Sequence, residues 1–179
     1  MDITIKCPEI EHIEQLMILN YKYNYQHLPK DELVRGFIRI PYTYEQFQQL
    51  IENKEITIGI SKNKIVGYYL IGKHTLNPNL EYQIQKAKQI ERIHQIDFER
   101  IGYGCQVCIE KDFRNMNLFA DMLSILVLLV QYKYDILLCS ISDYNPASLR
   151  AHQKNNWIFY DKENSTNFLY HKIKEIEIV

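Results

Sequence analysis

The residues best suited to binding a charged ligand lie at the start of a strongly apolar predicted helix. Arg114 and residues 115–119 follow an apolar predicted strand that ends at residue 109, after a short turn. The first N–H groups of a helix have no partner within the helix, and they bind phosphate groups readily. This segment therefore predicts a phosphate or pyrophosphate site. The alternative is an ordinary helix start, capped by Asn115 or Asn117, with Arg114 in solvent.

A second polar segment begins another predicted helix further along the chain. Asn145, Ser148 and His152 are separated by three and four positions, so their side chains lie on one face of that helix. Histidine is the side chain that most readily exchanges a proton near neutral pH. The spacing therefore predicts a polar stripe on one face at the start of this helix. The alternative is an N-cap at Asn145 followed by Pro146 at the first helical position, with His152 a surface or half-buried histidine.

Cys105 and Cys108 have the spacing of redox and zinc motifs, which suggests a different class of function. They lie within the apolar alternating run 103–109, which predicts a strand, and residues three apart on a strand point to opposite faces. No second cysteine pair or nearby cluster of cysteine and histidine completes a tetrahedral site. We therefore expect no metal site, and we expect the four cysteines to be reduced thiols.

Composition and charge restrict the environment and the partners. A length of 179 residues, of which 46% are hydrophobic, predicts one domain with a sizeable core. The 21 lysines and arginines nearly balance the 22 aspartates and glutamates, so we expect no broad basic surface for nucleic acid or anionic lipid. The first residues lack the features of a signal peptide, and the longest apolar stretch, 118–130, is too short to cross a bilayer. These features predict a cytoplasmic protein.

The periodicity of apolar residues predicts an α/β fold, with a mixed central sheet of about seven strands and helices on both faces. We predict strands at 2–6, 55–61, 64–72, 100–109, 135–141, 157–160 and 166–172. We predict helices from Pro8 onward and at 43–54, 80–94, 118–132 and 146–154. The apolar helix between two apolar strands indicates a parallel crossover over 100–141. The helix at 80–94 is expected within an inserted segment at about 76–96, which serves as a lid or a partner surface.

This order of elements, over nearly the whole chain, and the two polar segments resemble the GNAT superfamily of acetyl-CoA-dependent N-acetyltransferases. In that family a turn that begins with arginine or glutamine and is rich in glycine wraps the pyrophosphate of acetyl-CoA with backbone amides. Arg114 matches its first position, whereas Asn115, Asn117 and Phe119 occupy positions that are often glycine. Asparagine tolerates the left-handed conformation, so the turn is expected to be preserved. Phe119 leaves the amides open only if its ring turns into the core.

The resemblance implies acetyl-CoA as the co-substrate, the GNAT (acyl-CoA N-acyltransferase) fold and a role for each matching position. His152 replaces the tyrosine that donates a proton to the departing CoA thiolate. Asn145 is implied to hydrogen-bond the pantetheine arm, with Ser148 near it, and a backbone N–H of residues 107–109 is implied to polarise the thioester carbonyl. The implied cofactor-binding residues are Val107, Cys108, Ile109, Arg114, Asn115, Met116, Asn117, Leu118, Phe119, Asn145 and Ser148.

The expected activity is acetyl transfer to a primary amine of a small molecule or a protein. The acceptor is not identified, and four groups near predicted strand ends are equal candidates for the general base: Glu110, Asp143, Tyr103 and His74. A second interpretation, which the missing glycines favour, is a catalytically degenerate GNAT-fold module that binds a ligand or partner. A third is a redox or zinc protein that uses Cys105 and Cys108. The prediction allows a homodimer.

Overall fold

The computed structural model describes residues 2–77 and 82–173, which form a seven-stranded mixed sheet with helices on both faces. The strands are β1 (Thr4–Lys6), β2 (Ile56–Ser61), β3 (Lys64–Gly72), β4 (Ile101–Ile109), β5 (Ile136–Ser142), β6 (Ile158–Glu163) and β7 (Thr166–Lys172). The helices are α1 (Ile13–Lys22), α2 (Tyr44–Glu52), α3 (Tyr82–His94), α4 (Leu118–Val130) and α5 (Pro146–Lys154). Short 3-10 turns lie at Ile10–His12, Leu33–Arg35, Phe98–Arg100 and Lys111–Phe113. The predicted α/β class is confirmed.

The strands lie in the order β1-β2-β3-β4-β5-β7-β6. Every neighbouring pair is antiparallel except β4 and β5, which are parallel and are joined through α4. A parallel pair requires a long crossover because the chain must return to the end of the sheet at which the first strand began before it starts the second strand. The parallel crossover predicted between residues 100 and 141 is therefore confirmed.

The parallel strands β4 and β5 diverge soon after they begin. They pair only at Ile101 with Ile136 and at Gly102 with Leu137, so beyond these residues a gap opens between two adjacent strands of the sheet. The helices close this gap only in part. The backbone groups that line the gap are therefore available to a ligand.

A β-bulge at Gly104 changes which side chains of β4 face each side of the sheet. Gly104 has a φ of 66°, and three residue steps on β4, from Tyr103 to Gln106, oppose two on β3. The extra residue interrupts the alternation of side chains. Tyr103 consequently packs on the face covered by α3, while Cys105 packs on the opposite face, near α4.

Three groups of buried side chains hold the helices to the sheet. The first lies between α1, α2 and strands β2 and β3, and the second lies between α4 and the other face. The third lies beneath α3, on the same face as α1 and α2, and covers β4 and β5. None of the helices in the described part of the chain has both the length and the apolar character that crossing a membrane requires.

Helix α3 lies between β3 and β4, where the sequence predicted a helix at 80–94. Leu80, its predicted first apolar residue, lies outside the described residues. Ala87 and Ile90 are fully buried against β4 and β5, as their helical spacing predicted. That the segment 76–96 is an insertion into a single domain stays a prediction.

Candidate functional site

The gap between β4 and β5 opens into two adjoining cavities. The larger, of ≈ 460 Å³, extends to the start of α4, and the smaller, of ≈ 70 Å³, lies between β4, β5 and α3. The residues that line both are Phe37, Ile38, Val107, Asn145 and Ser148. Of the predicted cofactor-binding residues, all except Met116 line the larger cavity, and His152 lines the smaller one. Both polar segments of the sequence therefore meet at one site.

The turn before α4 adopts the left-handed conformation that glycine commonly provides, although it contains no glycine. Asn115 and Asn117 have φ angles of 68° and 60°, so both adopt the left-handed conformation predicted for them. The side chain of Asn117 donates a hydrogen bond to Asp121 at 3.0 Å rather than capping the helix. Within the described part of the chain, no group accepts a hydrogen bond from the N–H groups of residues 118–120 in the first turn of α4. These amides are therefore available to an anion.

The ring of Phe119 turns away from the amide groups of the turn. Its centroid lies 5.1 Å from the ring of Tyr69 and 5.0 Å from the ring of His152, and it packs against the core below α4. Of the two orientations that the sequence left open, the structure has the one that does not cover the turn. A phenylalanine at a position that is often glycine therefore leaves the approach to the helix start open.

Arg114 is held in place by the protein. Its Nε donates to the carbonyl of Ile109 at 3.0 Å and its Nη1 to the carbonyl of Arg35 at 2.9 Å. The guanidinium also lies 5.1 Å from the centroid of the Tyr23 ring, at cation–π distance. The alternative of a solvated Arg114 is therefore wrong, and the side chain fixes a positive charge on the wall of the larger cavity.

The larger cavity has a positive lining. Arg35, Arg114 and Lys154 line it, and no aspartate or glutamate of the described residues does so. Arg35 also forms an ion pair with Glu32 at 3.8 Å, outside this lining. The remaining positive charge of the lining attracts an anionic ligand into the cleft. Sequence reasoning found only Arg114, because Arg35 lies in an irregular segment and Lys154 at a helix end, where an exposed cation is ordinary.

The hydrogen bonds of β4 determine which backbone groups face the gap. The N–H of Glu110 donates to the carbonyl of Val66 on β3 at 2.8 Å. In an antiparallel pair the backbone N–H and C=O groups of successive residues point alternately toward and away from the partner strand. The backbone groups of Cys108 therefore also point toward β3, whereas those of Val107 and Ile109 point away from it. The bond from Arg114 to the Ile109 carbonyl agrees with this alternation. The N–H groups of Val107 and Ile109 are thus directed into the gap, and of these two residues only Val107 lines both cavities.

The side chain of Asn145 is engaged with the protein. Its Oδ1 accepts from the N–H of Ser148 at 3.2 Å, which caps α5, and its Nδ2 donates to the carbonyl of Phe37 at 3.2 Å. The N-cap alternative for Asn145 is therefore confirmed. The second bond holds the segment around Phe37 across both cavities, so Asn145 shapes the site through this contact.

His152 is buried in a fixed orientation, with 2% of its surface exposed. Its Nδ1 lies 2.8 Å from the carbonyl oxygen of Ser148, and a carbonyl can only accept, so Nδ1 carries a proton. Its Nε2 lies 3.7 Å from the Sγ of Cys105. The rings of Phe119 and Trp157 contact the imidazole edge to face at 5.0 and 5.1 Å. The reactive nitrogen of His152 therefore faces a thiol, which the sequence did not indicate.

Cys105 lies at the meeting point of several polar groups. Its Sγ is 3.3 Å from the hydroxyl of Tyr69, in addition to its contact with His152. Burial raises its pKa, but hydrogen bonds with Cys139, His152 and Tyr69 and the charge of His152 outweigh burial and lower the pKa to about 6. Cys108 points to the opposite face, as predicted, and burial raises its pKa. The two cysteines therefore cannot hold one metal ion.

None of the four candidates for the general base lines either cavity. Glu110 and Asp143 form ion pairs with lysines at 2.7 and 2.9 Å. Tyr103 is 1% exposed beneath α3, and His74 packs against its ring. Among the described residues, the titratable groups that line the smaller cavity are Arg39, Cys105 and His152.

Comparison with known proteins identifies the fold. No protein-family model and no curated protein sequence matches this chain. Solved structures that match it include a GNAT superfamily phosphinothricin acetyltransferase from Sinorhizobium meliloti in complex with acetyl-CoA, with a TM-score of 0.63, 10% identity and 100% of this chain and 92% of that chain covered. The paiA N-acetyltransferase from Thermoplasma acidophilum, in complex with coenzyme A, matches with a TM-score of 0.65, 13% identity and coverage of 96% and 99%. A GNAT-family acetyltransferase from Streptococcus pneumoniae matches with a TM-score of 0.63, 15% identity and coverage of 97% and 100%. The chain has the GNAT fold.

Proposed function

We propose that this protein is an acetyl-CoA-dependent N-acetyltransferase that acts on a primary amine of a small molecule or a protein. The observation that carries the proposal is the cleft between β4 and β5, with free amides at one end and Val107 at the point where both cavities meet. Two solved structures with this fold contain acetyl-CoA or coenzyme A. A positively lined cleft suits the phosphates of that molecule.

In this proposal the phosphates lie at the start of α4. The N–H groups of 118–120 bind them, and Arg114 and Lys154 contribute positive charge. The pantetheine arm follows the wall between Val107 and Ser148, which line both cavities. Asn115 and Asn117 adopt the left-handed conformation, so these asparagines take the place of glycine and the turn stays open.

The proposed reaction takes place where the two cavities join. The N–H of Val107 polarises the thioester carbonyl, and a preformed donor of this kind stabilises the oxyanion as it develops. The amine approaches from the smaller cavity. As the amine nitrogen bonds to the acetyl carbon and the bond to the sulfur of coenzyme A breaks, Nε2 of His152, the nitrogen that does not face Ser148, takes the proton that the amine loses and gives it to the departing thiolate. Its protonated Nδ1 keeps the ring oriented throughout.

A ligand-binding module without catalysis is the second candidate. The observation that favours it is that Asn145, implied by the resemblance to bind the cofactor, bonds the protein instead. In addition, no carboxylate of the described residues lines either cavity to act as a base. Such a module would bind acetyl-CoA, or another anion, without releasing coenzyme A when amines are supplied.

A calorimetric titration with acetyl-CoA tests the proposal, with Asn117→Phe as the occluding variant. Asn63→Phe is the matched control, because Asn63 also has a left-handed backbone, with a φ of 61°, and lies in the turn between β2 and β3, away from the cleft. We expect micromolar binding, on the order of 8 kcal/mol, by the wild type and by Asn63→Phe, and none by Asn117→Phe.

A thiol-release assay with a panel of primary amines then separates the two candidates. Amine-dependent release of coenzyme A supports the transferase. Binding without release supports the module. The absence of acetyl-CoA binding by the wild type would overturn the proposed function.

A further inference from the structure

We propose that acetyl transfer in this protein passes through a thioester on Cys105, with His152 as the group that accepts and returns the proton. This inference rests on the proposed function and specifies its route. It starts from a pair that the sequence did not bring together: a thiol on β4 and an imidazole on α5, both lining the smaller cavity.

The geometry of the pair is that of a nucleophile and its base. The Sγ of Cys105 lies 3.7 Å from the Nε2 of His152, within hydrogen-bonding distance for sulfur. The bond from Nδ1 to the Ser148 carbonyl leaves Nε2 as the nitrogen that can take the thiol proton. The orienting carbonyl completes the arrangement of nucleophile, base and third group that covalent catalysis uses.

The local structure directs Cys105 to this position. The bulge at Gly104 places Cys105 on the face opposite Tyr103. Ordinary alternation then puts Cys105 and Val107 on the same face, and both line the smaller cavity. The thiol is therefore near the N–H that polarises the thioester carbonyl in the proposed reaction. Cys108 and Cys139, by contrast, are 5% and 1% exposed within the core.

The groups around the thiol of Cys105 support the same route. No carboxylate of the described residues lines the smaller cavity, so the imidazole of His152 is the group there that can accept a proton from the thiol. The hydroxyl of Tyr69, 3.3 Å from Sγ, can stabilise a thiolate. The pKa of Cys105, which these contacts lower against the effect of burial, agrees with a thiolate that is available near neutral pH.

The two half-reactions balance in atoms and protons. In the first, Cys105 gives its proton to Nε2 of His152, its sulfur bonds to the acetyl carbon, the bond from that carbon to the sulfur of coenzyme A breaks, and Nε2 returns the proton to the departing thiolate. In the second, the amine nitrogen bonds to the acetyl carbon, the bond to Sγ breaks, and the amine proton passes through Nε2 to Cys105. No oxidant, metal or other reactant takes part.

The experiment uses acetyl-CoA without an amine. The protein is quenched in acid, its mass is measured intact and after digestion, and a parallel sample is treated with hydroxylamine, which cleaves thioesters. A second assay follows the exchange of labelled coenzyme A into acetyl-CoA, which a covalent intermediate permits and direct transfer does not. Calorimetry on each protein reports acetyl-CoA binding separately.

We expect one hydroxylamine-sensitive acetyl group on Cys105 and exchange in the wild type and in Cys7→Ala, the matched cysteine control outside both cavities. Cys105→Ala should bind acetyl-CoA but show neither signal. Cys105→Ser, which keeps the volume, repeats the test if the alanine variant does not fold. His152→Asn should bind acetyl-CoA and exchange about 100-fold or more slowly, the contribution expected of a general base.

Three results would overturn the inference. Amine-dependent turnover without thioester and without exchange would show direct transfer, and the proposed function would stand. Turnover by Cys105→Ala at the wild-type rate would likewise show direct transfer and leave the proposed function standing. Failure of the wild type to bind acetyl-CoA would remove the proposed function together with this route.

Discussion

The side chain of Gln83 on α3 donates a hydrogen bond from Nε2 to the Oγ of Ser140 on β5, at 3.1 Å. Its Oε1 accepts from the N–H of Gly104 on β4, at 3.3 Å, so one residue joins the two strands where their own pairing has ended. Gln83 is 2% exposed and lines the smaller cavity. Helix α3 therefore contributes a buried side chain to the wall of the smaller cavity, the cavity from which the amine approaches in the proposed reaction.

The first prediction concerns the stability that this bridge provides. Gln83→Ala removes the hydrogen bonds of Gln83 to buried polar groups of Gly104 and Ser140, and the loss of a buried hydrogen-bond partner costs about 1–3 kcal/mol. We expect the free energy of unfolding in urea to fall by that amount. Gln49→Ala, an exposed glutamine on α2, is the control and should change it by no more than about 0.5 kcal/mol. Equal effects of the two substitutions would mean that the bridge adds no stability.

The second prediction concerns the asparagines of the turn before α4. Asn117→Val should lower the free energy of unfolding by about 1–2 kcal/mol, because a β-branched residue is strained in the left-handed conformation. Asn117→Gly should adopt the left-handed conformation without strain and should bind acetyl-CoA at least as tightly as the wild type. Urea unfolding and calorimetry measure the two effects. Weaker binding by the glycine variant would show that the asparagine side chain itself contacts the ligand.

The third prediction concerns the positive lining of the larger cavity. Lys154→Glu should weaken acetyl-CoA binding by about 1–3 kcal/mol, the usual contribution of a hydrogen bond to a charged group, and should reduce its dependence on salt. Lys88→Glu makes the same charge change at an exposed position of α3, outside the cleft, and serves as the control. If both variants lose the same affinity, net charge rather than the cleft attracts the ligand.

Local patterns were sufficient to predict most of the fold. Apolar or β-rich runs, some of them alternating, predicted the strands, and helical spacing predicted the helices. The strongly apolar helix α4 between two apolar strands indicated the parallel crossover. The left-handed conformations at Asn115 and Asn117 could also be predicted, because they depend on residue type and a short segment. These features share one property: each is determined by neighbours in the sequence.

The site could be predicted less completely because its contacts join distant segments. The pairing of Cys105 with His152 requires both the bulge at Gly104 and the docking of α5, and neither has a local signal. The CxxC spacing drew attention to Cys105 for a different chemistry. Arg35 was missed since its place in the cleft depends on contacts with Arg114, far along the chain.

The last prediction uses the acidity of Cys105. Burial raises the pKa of this thiol, but its bonds with Cys139, His152 and Tyr69 lower it to about 6, whereas the pKa of Cys7 is raised, chiefly by burial. Only the thiolate reacts with iodoacetamide. The alkylation rate of Cys105 should therefore rise about tenfold per pH unit below its pKa and level off above it, while that of Cys7 continues to rise through pH 9.

Peptide mapping by mass spectrometry follows both cysteines in the same sample, so Cys7 is an internal control. Acetyl-CoA should protect Cys105 and leave Cys7 unchanged, since of these two cysteines only Cys105 lines the cleft. In His152→Asn the midpoint for Cys105 should move to higher pH, because the contact that favours the thiolate is lost while burial persists. A midpoint that stays in place would show that His152 does not activate the thiol.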